Sequence, residues 1–143
     1  MLNLPFTIHL VSWQTHAAQL TALRESVFIQ EQQVPVALEW DGQDMAAEHL
    51  LAINHARVAI GCARLPGDGS IGRMVVLKNW RSQGVGMALL QQAIAIYQQK
   101  GLHTITLSAQ THAIGFYEKA GFKICSPPYL DAGIWHVDMQ LIV

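Results

Sequence analysis

Residues Gly72 to Ala88 read GRMVVLKNWRSQGVGMA, and the fold is decided by how this stretch is parsed. Met74, Val75, Val76 and Leu77 make an apolar strand and Lys78 to Gln83 a polar turn; a long segment with one apolar face then runs to Gly101. Arg81, Gly84 and Gly86 form an R-x-x-G-x-G pattern at the junction of strand and helix. There the first backbone N–H groups of the helix lack intrahelical partners and lie at the positive end of its dipole. The backbone across Arg81, Ser82, Gln83, Gly84, Val85 and Gly86 is therefore expected to bind phosphate. A Cβ at either glycine would hold a pyrophosphate away from those donors, and glycine tolerates the angles that turn neighbouring N–H groups one way.

Spacing separates the nucleotide-binding readings of this turn. A dinucleotide fingerprint needs G-x-G-x-x-G and an acid about 20 residues on. Only two glycines fall in the turn, and Gln91 to Lys100 holds no acid. A P-loop needs a Lys directly after its last glycine, and Met87 follows Gly86.

A second segment, Leu107 to Phe122, reads LSAQTHAIGFYEKAGF. Taken alone it is a strand and an amphipathic helix closed by a glycine C-cap at Gly121. Together, and in this order, the two segments resemble the acyl-CoA motifs of the GNAT superfamily of N-acetyltransferases. In that family an apolar strand precedes [RQ]-x-x-G-x-[GA], and a later strand precedes N-x-x-A-x-x-[FL]-Y-x-x-x-G-F. Ala113, Phe116, Tyr117, Gly121 and Phe122 match, and Gln110 stands where Asn is usual. The segments VFIQEQQVP (Val27 to Pro35), E-x-D-x-x-D-x-x-x-x-H (Glu39 to His49) and GIWHVDM (Gly133 to Met139) resemble those of the small ElaA/YjcF-type members, with Trp135 where that group often has Pro.

The chain has 143 residues, enough for one domain with a sizeable core. Hydrophobic residues at 51% and charged residues at 13% exclude a disordered chain. No apolar run approaches the roughly 20 residues that span a bilayer. The start, MLNLPFTIHLV, lacks a basic n-region and reads as a strand, so a cytoplasmic protein is expected, with no membrane partner. A formal net charge of −1 gives no basic field for nucleic acid. Cys62 and Cys125 lie in apolar segments and are expected to be buried thiols; neither cysteine nor histidine spacing suggests a metal. Charge is unevenly spread: Glu25 to Ala56 carries six acids (Glu25, Glu31, Glu39, Asp41, Asp44, Glu48) and no Lys or Arg.

Along the chain, Phe6 to Trp13 reads as a strand and Thr15 to Ile29 as a helix with Thr15 as N-cap. Gln30 to Asp44, broken by Pro35 and Asp41-Gly42, reads as a binding loop or short helix over a cleft. Three strands follow: Ala47 to Asn54, Val58 to Leu65 and Ser70 to Leu77. Pro66 to Gly69 turns the second into the third, so the three are expected to form an antiparallel meander. After the helix Gly84 to Lys100, His103 to Ala109 should run parallel to the preceding strand. A helix over Thr111 to Ala120, a short strand at Phe122 to Cys125, a Pro127 to Gly133 loop and a strand Ile134 to Ile142 complete the reading. In that last strand Trp135, Val137, Met139 and Leu141 share the apolar face. The expected class is mixed α/β (α+β): a single domain over residues 1–143 with a central mixed sheet of about seven strands and flanking helices.

The resemblance implies acetyl-CoA as co-substrate, no metal, and transfer of its acetyl group to a primary amine by direct attack in a ternary complex. It implies Val76 as backbone partner of the pantetheine arm; Arg81 to Gly86, Gln110, Ala113 and Phe116 around the coenzyme; and Tyr117 as general acid at its sulfur. A phenol with pKa near 10 is protonated at neutral pH and can donate as charge develops. The base is open among Glu31, Glu39, Asp41, His49 and His136. Of these, Glu31, Glu39, Asp41 and His49 are also candidates for binding the acceptor, which the acidic segment suggests to be cationic, either a small molecule or a lysine side chain of a peptide. A homodimer is left open. The reading from another class is a catalytically silent acyl-CoA-binding module on the same fold.

Overall fold

The computed structural model describes residues 4–143. One mixed sheet carries β1 (Phe6–Ser12), β2 (Glu48–Asn54), β3 (Ala59–Leu65), β4 (Ser70–Val76), β5 (Thr104–Gln110), β6 (Lys123–Ile124), β7 (Tyr129–Asp131) and β8 (Ile134–Ile142). Its order is β1-β2-β3-β4-β5-β8-β6, with β7 added to β8. The meander is antiparallel as expected, and β4 and β5 run parallel across the helix α3 (Val85–Gln99). The eighth strand, β7, forms inside the segment expected to be a loop, because Ala132 and Gly133 take positive φ (51° and 77°), the requirement for a tight two-residue hairpin turn.

Each face of the sheet has its own core. On one side Leu89, Leu90, Ala93 and Tyr97 of α3 pack on Leu50, Ala52, Ile60, Ile105, Leu107 and Met139. On the other, Leu20 and Leu23 of α1 (Trp13–Arg24) and Val27 pack on Leu51, Cys62 and Val75. The start of α1 differs from the expected Thr15. Ser12, in extended conformation, accepts from Thr15 N–H through its hydroxyl at 3.2 Å and is the N-cap; Thr15, in the first turn, is its N3 partner. Beyond Arg24 the helix widens into a π-helical turn, Glu25–Glu31, and a single turn α2 (Val36–Glu39) follows. Trp135 is 53% exposed, against its expected place in the apolar row. The end of β5 at Gln110 pairs with His136, so Trp135 lies beyond it with no core beneath. Cys125 is exposed, and only Cys62 is buried, its thiol pushed up to about 12 by burial.

The β4–β5 pair is short. Register exists only at Ser70↔Thr106 and Ile71↔Leu107, after which the strands part. A bulge in β4, where the β3 register shifts between Cys62 and Arg64 and Arg73 takes φ 47°, turns the strand away. The closed end of the resulting V is pinned from α3. The Tyr97 hydroxyl donates to Ser70 O at 2.6 Å and accepts from Gly67 N–H at 3.1 Å.

One wall of the V is held by a buried charge network. Arg24, 1% exposed, donates to Glu39 Oε2 at 2.7 Å and Asp44 Oδ1 at 2.6 Å, with Trp40 and Trp13 rings 4.9 and 5.6 Å from its guanidinium carbon. Replacing Arg24 by Met would leave two buried carboxylates short of a partner. Urea unfolding should show a loss of about 3–5 kcal/mol, the usual cost of breaking a buried pair from one side; a loss under about 1 kcal/mol would show that the network carries no stability.

Candidate active site

The diverging strands enclose a cleft of about 430 Å³, walled by Ile71 to Val76 of β4, Ser108 and Gln110 of β5, Glu31 at the end of the π-helical turn with Gln32 after it, and Tyr117. A second groove of about 520 Å³ continues from it past Arg81, Ser82, Gly84 and Gly86 to Phe116 and Lys119. Tyr117, Val76, Arg81 and Ala113 line both.

The turn has the form its sequence requires. Ser82 and Gly84 take positive φ (63° and 88°), and Gly84 caps α3 without a side-chain bond. Ala88 N–H is the first to bond within the helix region, to Gly84 O at 3.0 Å, so the amides before it open outward at the positive helix end. The two glycines serve different ends. A Cβ on Gly84 meets nothing within 4 Å, so only its backbone angle demands glycine there. A Cβ on Gly86 would lie 3.2 Å from Phe116 Cζ, so that glycine seats α3 against α4 (Ile114–Glu118). Leu77 N–H donates to Ile60 O at 2.9 Å, and successive residues of a strand present their N–H and C=O to opposite edges, so those of Val76 face the open side of β4. These features fit a pyrophosphate with an extended amide-bearing arm laid along β4.

Arg81 is more occupied than its place in the motif suggests. Its Nη1 and Nη2 each donate to a Glu31 carboxylate oxygen at 2.7 Å, and its Nε donates to Val76 O at 3.0 Å. Those hydrogen bonds hold the Glu31 carboxyl below its ordinary pKa. Gln110 exchanges two amide hydrogen bonds with Gln32, at 2.8 and 3.2 Å. The methylene by which Gln exceeds Asn is what reaches across. The Tyr117 hydroxyl has no hydrogen-bond partner among the described residues, and burial among apolar atoms pushes its pKa up to about 12.

The acidic segment is not a field of free charge. Glu39 pairs with Arg24 and, as an ion pair at 3.1 Å, with Arg73; Asp41 pairs with Arg64 and Arg73; Asp44 pairs with Arg24 and Arg64; Glu48 pairs with Lys100. Arg64 hydrogen bonds hold the Asp41 carboxyl far below the usual range. His49 is 1% exposed, its ring nitrogen Nε2 3.0 Å from Asp44 O, and burial lowers its pKa. His49 thus lies under the network, away from the open cleft, while Glu39 is part of the network and lines a small compartment beside the cleft. His136 lines a smaller compartment of about 160 Å³ beside Phe28, Arg73 and Gln110. Its Nδ1–H donates to Ile134 O at 2.7 Å, and its ring stacks on Tyr129. The sequence reading missed Gln32 and Arg73. Gln32 carried no signal beyond its neighbour Glu31, and nothing in the sequence marks Arg73 for a positive φ.

The model of the acetyltransferase (GNAT) domain matches residues 15–143. The chain belongs to the GNAT family. The N-acetyltransferase YjcF of Bacillus subtilis, itself uncharacterized, is 37% identical over 121 residues, covering 82% of this chain and 86% of that protein. The crystal structure of Escherichia coli ElaA superposes with a TM-score of 0.83 at 25% identity, over 94% of this chain and 98% of that one. An acyl-CoA N-acyltransferase from Pseudomonas aeruginosa does so at 0.81 and 29% identity, over 96% and 99%. GNAT domains are acyl-CoA N-acyltransferases, so the donor of this chain is an acyl-CoA. Among the described residues no helix is long and apolar enough to cross a membrane.

Because Gly86 touches Phe116 and Gly84 touches nothing, Gly84 gives the cleaner test of the turn. Gly84→Asp, a residue that tolerates positive φ, should keep the circular dichroism spectrum and weaken CoA binding by calorimetry about tenfold or more through charge repulsion; Gly84→Asn should lose much less. Equal affinities in the two variants would remove the phosphate from this turn.

Proposed function

We propose that the protein transfers the acetyl group of acetyl-CoA to a primary amine by direct attack within a ternary complex. The observation that carries this reading is the position of Tyr117, which lines both the groove beside the Arg81 to Gly86 turn and the cleft beneath Glu31, Gln32 and Gln110. A donor seated on the turn and an acceptor in the cleft would meet at its hydroxyl. A phenol held near 12 stays protonated, and its unpaired O–H is free to donate as negative charge grows on the departing sulfur. Cys62 is no acyl carrier, since its buried thiol stays protonated.

For the base, the geometry favours His136 over Glu31. Glu31 spends both carboxylate oxygens on Arg81. His136 donates through Nδ1, so the neutral ring carries its lone pair on Nε2, and the residue lines a compartment that adjoins the cleft at Gln110. We infer an acceptor that carries positive charge, a small polyamine-like molecule or a lysine side chain. Support for this comes from Asp131 and Asp138, which line the compartments flanking the cleft and form no ion pair among the described residues. It does not come from the neutralised Glu39 to Asp44 segment.

The test is release of free CoA thiol from acetyl-CoA across polyamines, aminoglycosides, lysine peptides and anionic amino sugars. Turnover with a cationic amine is expected, and Tyr117→Phe should cut kcat about 10²-fold at unchanged CoA affinity. CoA binding without thiol release on any amine would make the chain a silent binding module. An unchanged kcat in the Phe variant would leave Tyr117 a packing residue.

A further inference from the structure

Glu31 and Gln32 are adjacent, yet they are tied to opposite walls of the V. Glu31 is tied to Arg81, whose Nε holds Val76 O at the end of β4, and Gln32 to Gln110 at the end of β5. Glu31 ends the π-helical turn and Gln32 caps it, with Gln32 N–H donating to Val27 O at 2.9 Å and Val34 N–H to Phe28 O at 2.8 Å. The dipeptide therefore lies as a strap over the open end of the cleft. Its two fastenings differ in kind. The Gln32–Gln110 amide pair is neutral and partly buried, while the Glu31–Arg81 pair is ionic, with side chains 39% and 38% exposed.

Arg81 is also the first residue of the turn whose amides suit a pyrophosphate. Its guanidinium is planar, and the edge that could fork onto a phosphate is the one that forks onto Glu31. One guanidinium cannot present that edge to two anions at once. Building on the donor site of the proposed function, we propose that the donor's phosphates and Glu31 compete for Arg81, so that donor loading unfastens the strap and opens the cleft to the acceptor. Glu31 is then a positioning residue for the donor site. Coupling between the sites is reciprocal: whatever holds the strap down weakens the donor by the same factor.

The prediction runs against the usual effect of removing a binding-site charge. Glu31→Gln should bind CoA about fivefold more tightly, the upper range for a half-exposed pair. The gain should vanish in an Arg81→Gln background, because a direct effect of Glu31's charge on the phosphates would persist there and a shared guanidinium would not. Amide exchange at Gln32 and Val34 should quicken when CoA is added to the native protein. Calorimetry of the four proteins with CoA, with hydrogen exchange on the native one, decides it. Equal tightening in both backgrounds, no tightening in Glu31→Gln, or slower exchange at Gln32 and Val34 would overturn the strap while leaving the donor site in place. A native protein that fails to bind CoA would overturn the donor site itself.

Discussion

The cleft, the turn before α3 and the place of Tyr117 all depend on two strands that begin as neighbours and then separate. Parallel pairing of β4 and β5 lasts for two residue pairs and then stops, because the bulge at Arg73 turns β4 aside. A parting of strands in mid-sheet exposes backbone groups that would otherwise pair with each other, and these must be satisfied or used. Here the Val76 carbonyl is taken by Arg81 Nε, and the Val76 N–H faces the gap. The same divergence lets α3 start at the lip of the opening and Tyr117 reach its waist. The cleft, the turn before α3 and the position of Tyr117 are thus consequences of one interrupted ladder.

The interruption needs support, and charge supplies it. Arg73, whose backbone is the bulge, also places its side chain on Leu38 O, Glu39 O and Asp41. With Arg24 and Arg64 it forms a lattice of three arginines and three acids that ties α1, the α2 segment, β3 and β4 together. Buried ion pairs add little net stability compared with apolar packing, but breaking one costs much. Their effect here is to fix where the bulge and the segment over the cleft sit, in a part of the sheet with no ladder to fix them.

The sequence made the scaffold legible where periodicity or turn chemistry was strong: the meander, the parallel crossover, the apolar face of α3 and the R-x-x-G-x-G turn. It was silent where contacts join distant residues. The acids from Glu39 to Asp44 read as a charged patch because their partners Arg64 and Arg73 lie 20 or more residues on, and Arg24, the one Lys or Arg before Arg57, lies just outside the acidic segment. Trp135 read as core because alternation describes a strand's faces and not how far the neighbouring strand extends. Gln110 read as a departure from the family pattern, and its longer side chain turns out to reach Gln32.

The central claim is that the turn before α3 and the open edge of β4 receive the acyl-CoA. Two-dimensional amide spectra of the labelled protein during CoA titration test it most directly. The account predicts saturable shifts concentrated at Gln83 to Met87, Val76 and Tyr117. Unmoved amides there, with shifts gathered instead at the apolar groove of Ala22, Leu23, Val58 and Leu77 on the α1 side, would contradict it.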